Sequence, residues 1–345
     1  MKSTSTSWTP PVAKDAGECS EKQRFLSGFI IYRSADWWQL AQIQTRAHAA
    51  KTRKPVIFLP SRATHAHLFA SAMKQSVIIS TYNQPDWLNK VLHGYLCQTF
   101  TDFEVLIADD GSDERTKEVI ENFRQIATFP IQHVWHADEG YRRQTILNIA
   151  LLGAEHEYIL MTDGDCIPRP DFLAVHARHA RPGRFLSGGY CKMPMDLSLH
   201  LSLDDIASGR AFEVSYLRQQ GLSDFSPIFK LGLPVPLGPL MDKITPTKAT
   251  WNNCNASGWT ADLIAVNGFN EDMQYGGADR ELGERLANRG ITGVQIRHQA
   301  IVLHLDHKRG YKTPETMKKN QAIRDQVIAT RSVWCPNGIQ KSPQP

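Results

Sequence analysis

Tyr158-Ile159-Leu160-Met161-Thr162-Asp163-Gly164-Asp165-Cys166-Ile167-Pro168 is an apolar run that stops in two carboxylates separated by one glycine. The run has the length and side-chain character of a buried strand. Two aspartates one residue apart at its end are too costly to leave unpaired in a dry core. A hard divalent cation resolves their repulsion and bridges the carboxylates to phosphate oxygens. That arrangement suits departure of a nucleoside diphosphate from an activated substrate. Taken alone, the pair also reads as an acidic turn ahead of a helix from Pro170 onward.

Working outward, the pattern is regular from Met73. Residues 76–80 are an apolar strand ending in Thr81-Tyr82-Asn83, and Pro85 opens a helix in which Trp87, Leu88, Val91, Leu92 and Tyr95 recur at helical spacing. Residues 103–108 form a second strand ending in Asp109-Asp110-Gly111-Ser112; residues 114–126 read as a helix, 131–135 as a third strand, 143–154 as a helix, and 158–162 as the fourth strand. Strands alternating with helices predict an α/β fold with right-handed crossovers and a mostly parallel sheet covered on both faces. Ligands bind outside the carboxyl ends of such strands. The clusters at 81–83, 109–110 and 163–165 all fall there.

The remainder is less regular. Residues 193–248, rich in Leu, Ser and Pro, read as a long excursion or lid; strands are expected near 294–296 and 300–303, helices at 278–288 and 314–330, and a frayed tail from Trp334. Before Met73, residues 1–21 read as disordered, 24–32 as a short apolar stretch, 35–50 as helical and 56–59 as a strand.

The chain has 345 residues, 41% hydrophobic and 21% charged, with a net charge of +4. Its scattered Lys and Arg argue against nucleic acid as a partner. No apolar run approaches the roughly 20 residues that span a bilayer. The N-terminus lacks the apolar core of a secretory signal. Six widely spaced cysteines include no Cys-x-x-Cys pair, so reduced thiols in a cytoplasm are expected.

Several blocks occur in an order that resembles family 2 glycosyltransferases of the GT-A nucleotide-sugar-binding fold. They are residues 76–83, Gln98-Thr99-Phe100-Thr101-Asp102 with Asp109-Asp110-Gly111-Ser112, and Asp163-Gly164-Asp165. Further on, Cys254-Asn255-Ala256-Ser257-Gly258-Trp259, Val266-Asn267-Gly268-Phe269, Gly276-Gly277-Ala278-Asp279 and His304-Leu305-Asp306-His307 resemble the galactosyltransferase-type C-terminal region of bacterial polysaccharide and lipopolysaccharide transferases. The resemblance implies an inverting enzyme that uses a UDP-sugar, Mn2+ or Mg2+, and a saccharide or lipid-linked glycan acceptor. It implies work in the cytoplasm and allows peripheral contact with the cytoplasmic face of the inner membrane. Thr81, Tyr82, Asp110, Asp163 and one of Arg142 and Arg143 would hold the nucleotide. An aromatic face suits a planar base, and a carboxylate accepts its N–H. Asp165 would bind the cation with His304, and His307 is the alternative imidazole. Asp279 would be the catalytic base. It reads equally as a helix N-terminal carboxylate stabilised by the dipole. Tyr275, Gly277 and Glu281 would face the acceptor.

Two departures stand out. Relatives have Trp-Gly-x-Glu-Asp where this chain has Tyr275-Gly276-Gly277-Ala278-Asp279, so a carboxylate that helps hold the acceptor is missing. Residues 1–72 precede a natural family start and read as an accessory extension or an upstream reading-frame addition. The expected division is then 1–72, a nucleotide-sugar half at 73–192, an acceptor and catalytic half at 193–310, and a terminal helix and tail at 311–345. A nucleotidyltransferase would carry a glycine-rich phosphate loop with Arg or Lys at the first strand, and an Asp-x-Asp phosphatase a nucleophilic aspartate there; Ser80-Thr81-Tyr82-Asn83-Gln84 has neither. A non-catalytic sugar-nucleotide or glycan binder is the rival from another class, encouraged only by Ala278.

Overall fold

The computed structural model describes residues 73–308 and 313–341. The expectations for residues 1–72, including the helix at 35–50 and the strand at 56–59, lie outside the described residues. Strands β1 (Gln75–Thr81), β2 (Phe103–Asp109), β3 (Ile131–Trp135) and β4 (Tyr158–Asp163) alternate with helices α1 (Pro85–Leu96), α2 (Glu114–Arg124) and α3 (Arg143–Gly153). β5 (Cys166–Pro168), α4 (Phe172–His179), β6 (Arg184–Ser187) and β7 (Gly189–Lys192) follow. Then come α5 (Met195–His200), α6 (Leu203–Ala207), α7 (Val214–Gln219), α8 (Phe225–Gly232) and α9 (Gly238–Ile244), with 3₁₀ turns at Arg210–Phe212 and Val235–Leu237. The chain continues through β8 (Ala256–Trp259), α10 (Thr260–Ala265), α11 (Ala278–Asn288), β9 (Thr292–Gln295), β10 (Ile301–His304) and α12 (Pro314–Thr330).

The main sheet has the order β3-β2-β1-β4-β8-β6-β9. β1 runs parallel to β2 and β4, β2 to β3, and β6 to β9; β8 is antiparallel to both β4 and β6. Alternate residues of the central strands feed two cores. Val77, Ile79, Val105, Ile107 and Leu160 pack with Leu88, Val91 and Leu92 of α1. Ile78, Leu106, Ala108, Ile159 and Met161 pack with Ile146, Leu147 and Ala150 of α3. Burial on both faces is why these strands read as continuous apolar runs rather than as alternating ones. Truncating one such side chain, Leu92→Ala, would cost about 2–5 kcal/mol.

Register sets the site. Ser80 lies opposite Ala108 on one side and Asp163 on the other, and Thr81 lies opposite Asp109, so the three polar clusters share one edge. A second sheet, β5-β10-β7, pairs His304 with Cys166 and Lys192. A histidine from late in the chain is thereby placed next to Asp165.

Two expectations change. Residues 193–248 are not irregular but a strand-free run of short helices and 3₁₀ turns, with Pro234 between α8 and the second 3₁₀ turn and Pro246 just beyond α9, where proline removes a backbone donor. The segment from Trp334 is not frayed as far as Lys341. Asn267, in a left-handed conformation (φ 68°), donates its amide to the carbonyls of Cys335 (2.6 Å) and Gln340 (2.8 Å) and accepts from the Gln340 N–H at 2.8 Å. Ile339 packs against the second core.

Candidate active site

A cleft of about 720 Å³ opens at the carboxyl ends of β1, β2 and β4. Thr81, Tyr82, Asp110, Arg143, Asp163, Asp165, Tyr275, His304 and His307 line it. Arg142, Gly277, Asp279 and Glu281 do not.

Asp163 is held by the strand beside it and by the helix that precedes it. Ser80 donates its hydroxyl to Asp163 Oδ1 at 2.9 Å. Arg143, at the first turn of α3, donates through Nε (3.1 Å) and Nη2 (2.8 Å) to Ser80 Oγ and pairs with Asp163. Burial works against the Arg143 charge, but Asp163, Tyr141 and Asp279 outweigh it and hold the guanidinium above its ordinary range. Gly164 keeps the two aspartates apart where a side chain would press on Thr81, 3.1 Å from its Oγ1. Its N–H donates to the Ser80 carbonyl at 2.8 Å.

Arg142 and Arg143 separate cleanly. The Arg142 side chain turns to Glu139 at the surface. Its contribution is a backbone N–H donated to Asp110 Oδ2 at 3.2 Å, so of the two arginines only Arg143 brings its guanidinium to the cleft. Asp110 also pairs with His136 Nε2 at 2.8 Å. Burial raises the Asp110 pKa, and the hydrogen bonds from His136 and Arg142 oppose the rise. Neighbouring Asp109 is fully buried and is taken up by the Ser112 N–H (2.8 Å) and His133 (2.9 Å). Tyr82 exposes its ring at the mouth, and its hydroxyl donates to Asp138 at 2.9 Å. Gly111 (φ 92°) lets Asp138 approach, because a Cβ there would lie 2.6 Å from the Asp138 Cα.

Asp165 lies 3.0 Å from His307 Nε2 and 3.9 Å from His304 Nε2. The two imidazoles are nearly parallel, 5.9 Å apart. Burial pushes the Asp165 carboxyl up, but His307 and His304 outweigh it and hold it low. Asp165, Cys166 and His304 each bring a ligand atom within 4.8 Å of the others. A carboxylate with two imidazoles fits a transition-metal ion such as Mn2+ better than it fits Mg2+, which takes oxygen ligands. The donor set thus fits the implied cation, with the Thr81 hydroxyl buried and unpartnered at its edge.

Asp279 stands in the first turn of α11, half-buried, and accepts from the Arg280 N–H at 2.8 Å. Burial raises its pKa; the Arg280 N–H and the Arg143 charge oppose the rise, and Asp163 adds to it. Asp163, Arg143 and Asp279 are therefore close enough for their charges to act on one another, although 116 residues separate the two aspartates (279 − 163). Gly277 precedes the helix in a left-handed conformation (φ 86°) and supplies backbone shape rather than a contact.

Glu281 is corrected outright. It is fully buried against Arg285, with Oε1 and Oε2 each accepting at 2.8 Å, and Arg285 donates onward to the Val266 and Gly268 carbonyls. A carboxylate committed to a buried arginine cannot hold an acceptor.

Residues outside the sequence-based set also line the cleft: Tyr141, Tyr190, Lys192, Asn252 and Cys254. Tyr190 and Lys192 come from β7, which is too short to show a period. Tyr141 directly precedes the arginine pair, and that adjacency is the signal that could have found it.

Residues 76–192 match the family described as "Glycosyl transferase family 2". Over 290 residues the chain is 26% identical to validoxylamine A glucosyltransferase of Streptomyces hygroscopicus subsp. limoneus, covering 80% of this chain and 59% of that protein. It is 26% identical over 282 residues to the uncharacterized glycosyltransferase YfnE of Bacillus subtilis (strain 168), covering 72% of this chain and 69% of that one. The chain spans about 59% of the length of the validoxylamine A glucosyltransferases it matches. Among solved structures, Staphylococcus aureus TarS 1–349 in complex with UDP-GlcNAc superposes with a TM-score of 0.50 at 18% identity, covering 75% of this chain and 66% of that one. That likeness is one of fold, the GT-A arrangement.

Proposed function

This chain belongs to glycosyl transferase family 2, and on that premise we propose that it is an inverting, metal-dependent transferase. It moves a hexose or hexosamine from a UDP-sugar to a glycan acceptor in surface polysaccharide or lipopolysaccharide synthesis. The observation that carries the reading is the convergence of Asp110, Arg143, Asp163, Asp165, His304 and His307 on one cleft at the strand ends, with Asp279, outside the lining, near enough to Arg143 and Asp163 for their charges to act on one another. The described cysteines, Cys97, Cys166, Cys191, Cys254 and Cys335, are free, in keeping with work in a reducing cytoplasm.

Tyr82 offers its ring to the uracil and Asp110 accepts the base N–H. Asp163, oriented by Ser80 and Arg143, holds the ribose end of the donor, and the Arg143 guanidinium faces the diphosphate. Asp165, His304 and His307 would hold a divalent cation. When bound, it supplies positive charge where the diphosphate leaves. On the acceptor side, Tyr275 gives a sugar ring an apolar face. Asp279 takes the proton of the acceptor hydroxyl as that oxygen bonds to the anomeric carbon and the bond from that carbon to the diphosphate breaks. Burial makes Asp279 a stronger base than an exposed aspartate. Attack opposite the leaving group inverts the anomeric configuration.

The test is a panel of UDP-sugars with Mn2+ and candidate oligosaccharide acceptors, read as UDP release and as product configuration by NMR. The reading expects one donor to be used with inversion and activity to fall on chelation. Retention of configuration, or no metal-dependent UDP release from any donor, overturns it.

A further inference from the structure

β2 and β3 leave the sheet side by side. Asp109 lies opposite Trp135 in the register, so Asp110 and His136 are the first residues beyond it on each strand. From there residues 135–142 close over the end of β2. The Trp135 indole donates to the Ser112 carbonyl at 3.3 Å, Asp138 takes up the Tyr82 hydroxyl at 2.9 Å, and the Arg142 N–H reaches Asp110 Oδ2 at 3.2 Å. His136 Nε2 meets the other carboxylate oxygen, Oδ1, at 2.8 Å. Each oxygen of Asp110 thus has one donor from this loop and keeps a lone pair for a ligand.

The tautomer of His136 follows from its surroundings. Its side chain is 14% exposed and that of Asp110 8%. Nδ1 is buried and has no hydrogen-bond partner among the described residues. A proton on Nδ1 alone would bury an unpaired N–H and set the Nε2 lone pair against the carboxylate. Nε2 therefore carries the proton and donates the hydrogen bond. The consequence falls on Asp110. Burial raises its pKa, and the hydrogen bond from His136 is the strongest influence opposing that rise, ahead of the Arg142 N–H and the Arg143 charge.

Resting on the reading that Asp110 meets the base of the donor, we propose that His136 is a positioning residue for base selection: its Nε2–H holds the Asp110 carboxylate as an acceptor-only group, which takes a base presenting an N–H and turns away one presenting a lone pair. An ionised carboxylate only accepts, whereas a protonated one also donates. Uracil offers N3–H at the position where cytosine offers a bare lone pair. To hold cytosine there, Asp110 has to take up a proton against the hydrogen bond from His136, or two lone pairs stay opposed. Without His136 that proton is taken up more easily, and the barrier against cytosine falls. A site built to bond an N–H rejects the analogue that lacks it, because its buried polar groups are left unpaired. His136 does not line the cleft. It acts through Asp110 and not on the donor itself.

The test is titration calorimetry of the full chain with UDP and with CDP, each with Mn2+, on wild type, His136→Phe and His136→Gln. Wild type should prefer UDP. In His136→Phe, which keeps a ring and loses the donor, the preference for UDP over CDP should shrink roughly ten-fold or more, the worth of a hydrogen bond to a charged group. His136→Gln keeps an N–H to donate and should restore most of the preference. A merely structural role would weaken UDP and CDP alike and leave their ratio where it was. If His136→Phe misfolds by circular dichroism, His136→Leu, smaller and also without a donor, carries the test. A UDP-selective wild type with an unchanged ratio in the donor-free variant, or a glutamine variant as impaired as that one, overturns the role of His136 alone. A wild type that binds UDP and CDP equally overturns it together with the base-site reading on which it rests.

Discussion

Asn320 on α12 donates its side-chain amide to the Tyr275 carbonyl at 3.1 Å, and the same nitrogen reaches the Gln274 carbonyl at 3.0 Å and the Gly276 carbonyl at 2.8 Å. The C-terminal helix thereby grips the turn that leads from Tyr275 to Asp279. Gly276 (φ 106°) and Gly277 (φ 86°) let the backbone fold over it, and a Cβ at 276 would lie 2.3 Å from Met317 Sδ.

Asn320→Leu removes the buried amide that those three carbonyls share and should cost about 1–3 kcal/mol of stability. Thermal unfolding reads that loss. In the folded protein, kcat should fall while UDP affinity by calorimetry stays at the wild-type level, because Asn320 holds the turn at residues 274–276 and bonds to no donor-side residue named above.

Arg143→Lys keeps the charge and removes the fork that spans Ser80 and Asp163. UDP affinity should drop roughly ten-fold, since a point ammonium cannot replace a planar bidentate donor. Titration calorimetry with UDP checks it; unchanged affinity would place Arg143 outside the donor site.

Glu281→Gln leaves Arg285 buried without its counter-charge, at a cost of about 3–5 kcal/mol. The acceptor KM of whatever folds should not move. A raised KM with unaltered denaturant stability would return Glu281 to the acceptor side.

His176 is fully buried between Ser257 Oγ (2.7 Å) and Asn255 Oδ1 (3.0 Å), and burial pushes its pKa down to about 3. The unfolded chain takes up a proton near pH 6.5 while the folded one does not until about pH 3. Stability therefore falls as pH drops through that window, by about 1.4 kcal/mol per unit from this residue. Urea midpoints between about pH 6.5 and about pH 4.5 should show the slope, and His176→Gln should flatten it.

The parts of the fold that were legible share one physical trait. β1, β2 and β4 are buried on both faces, so each carries a continuous apolar stretch (77–79, 105–108 and 158–161), and each ends in polar residues where the cleft begins. Asp163 and Asp165 could be placed at a strand end for that reason. β5 and β7 are three and four residues long and owe their existence to pairing with β10, far along the chain. Tyr190 and Lys192 were hidden with them. The Glu281 error had a visible warning: Arg285 stands four residues on, the spacing at which helical side chains meet. What spacing leaves open is whether such a pair faces water or the core, and burial among Val266 and Gly268 decides that here.

The central claim is that Asp279 acts on the acceptor while the donor is bound by groups from β1, β2 and β4. Its most direct test is Asp279→Asn, assayed for sugar transfer and, separately, for UDP binding. The account predicts transfer reduced about 10²–10⁴-fold with UDP affinity nearly intact. Transfer at the wild-type rate in that variant would contradict it.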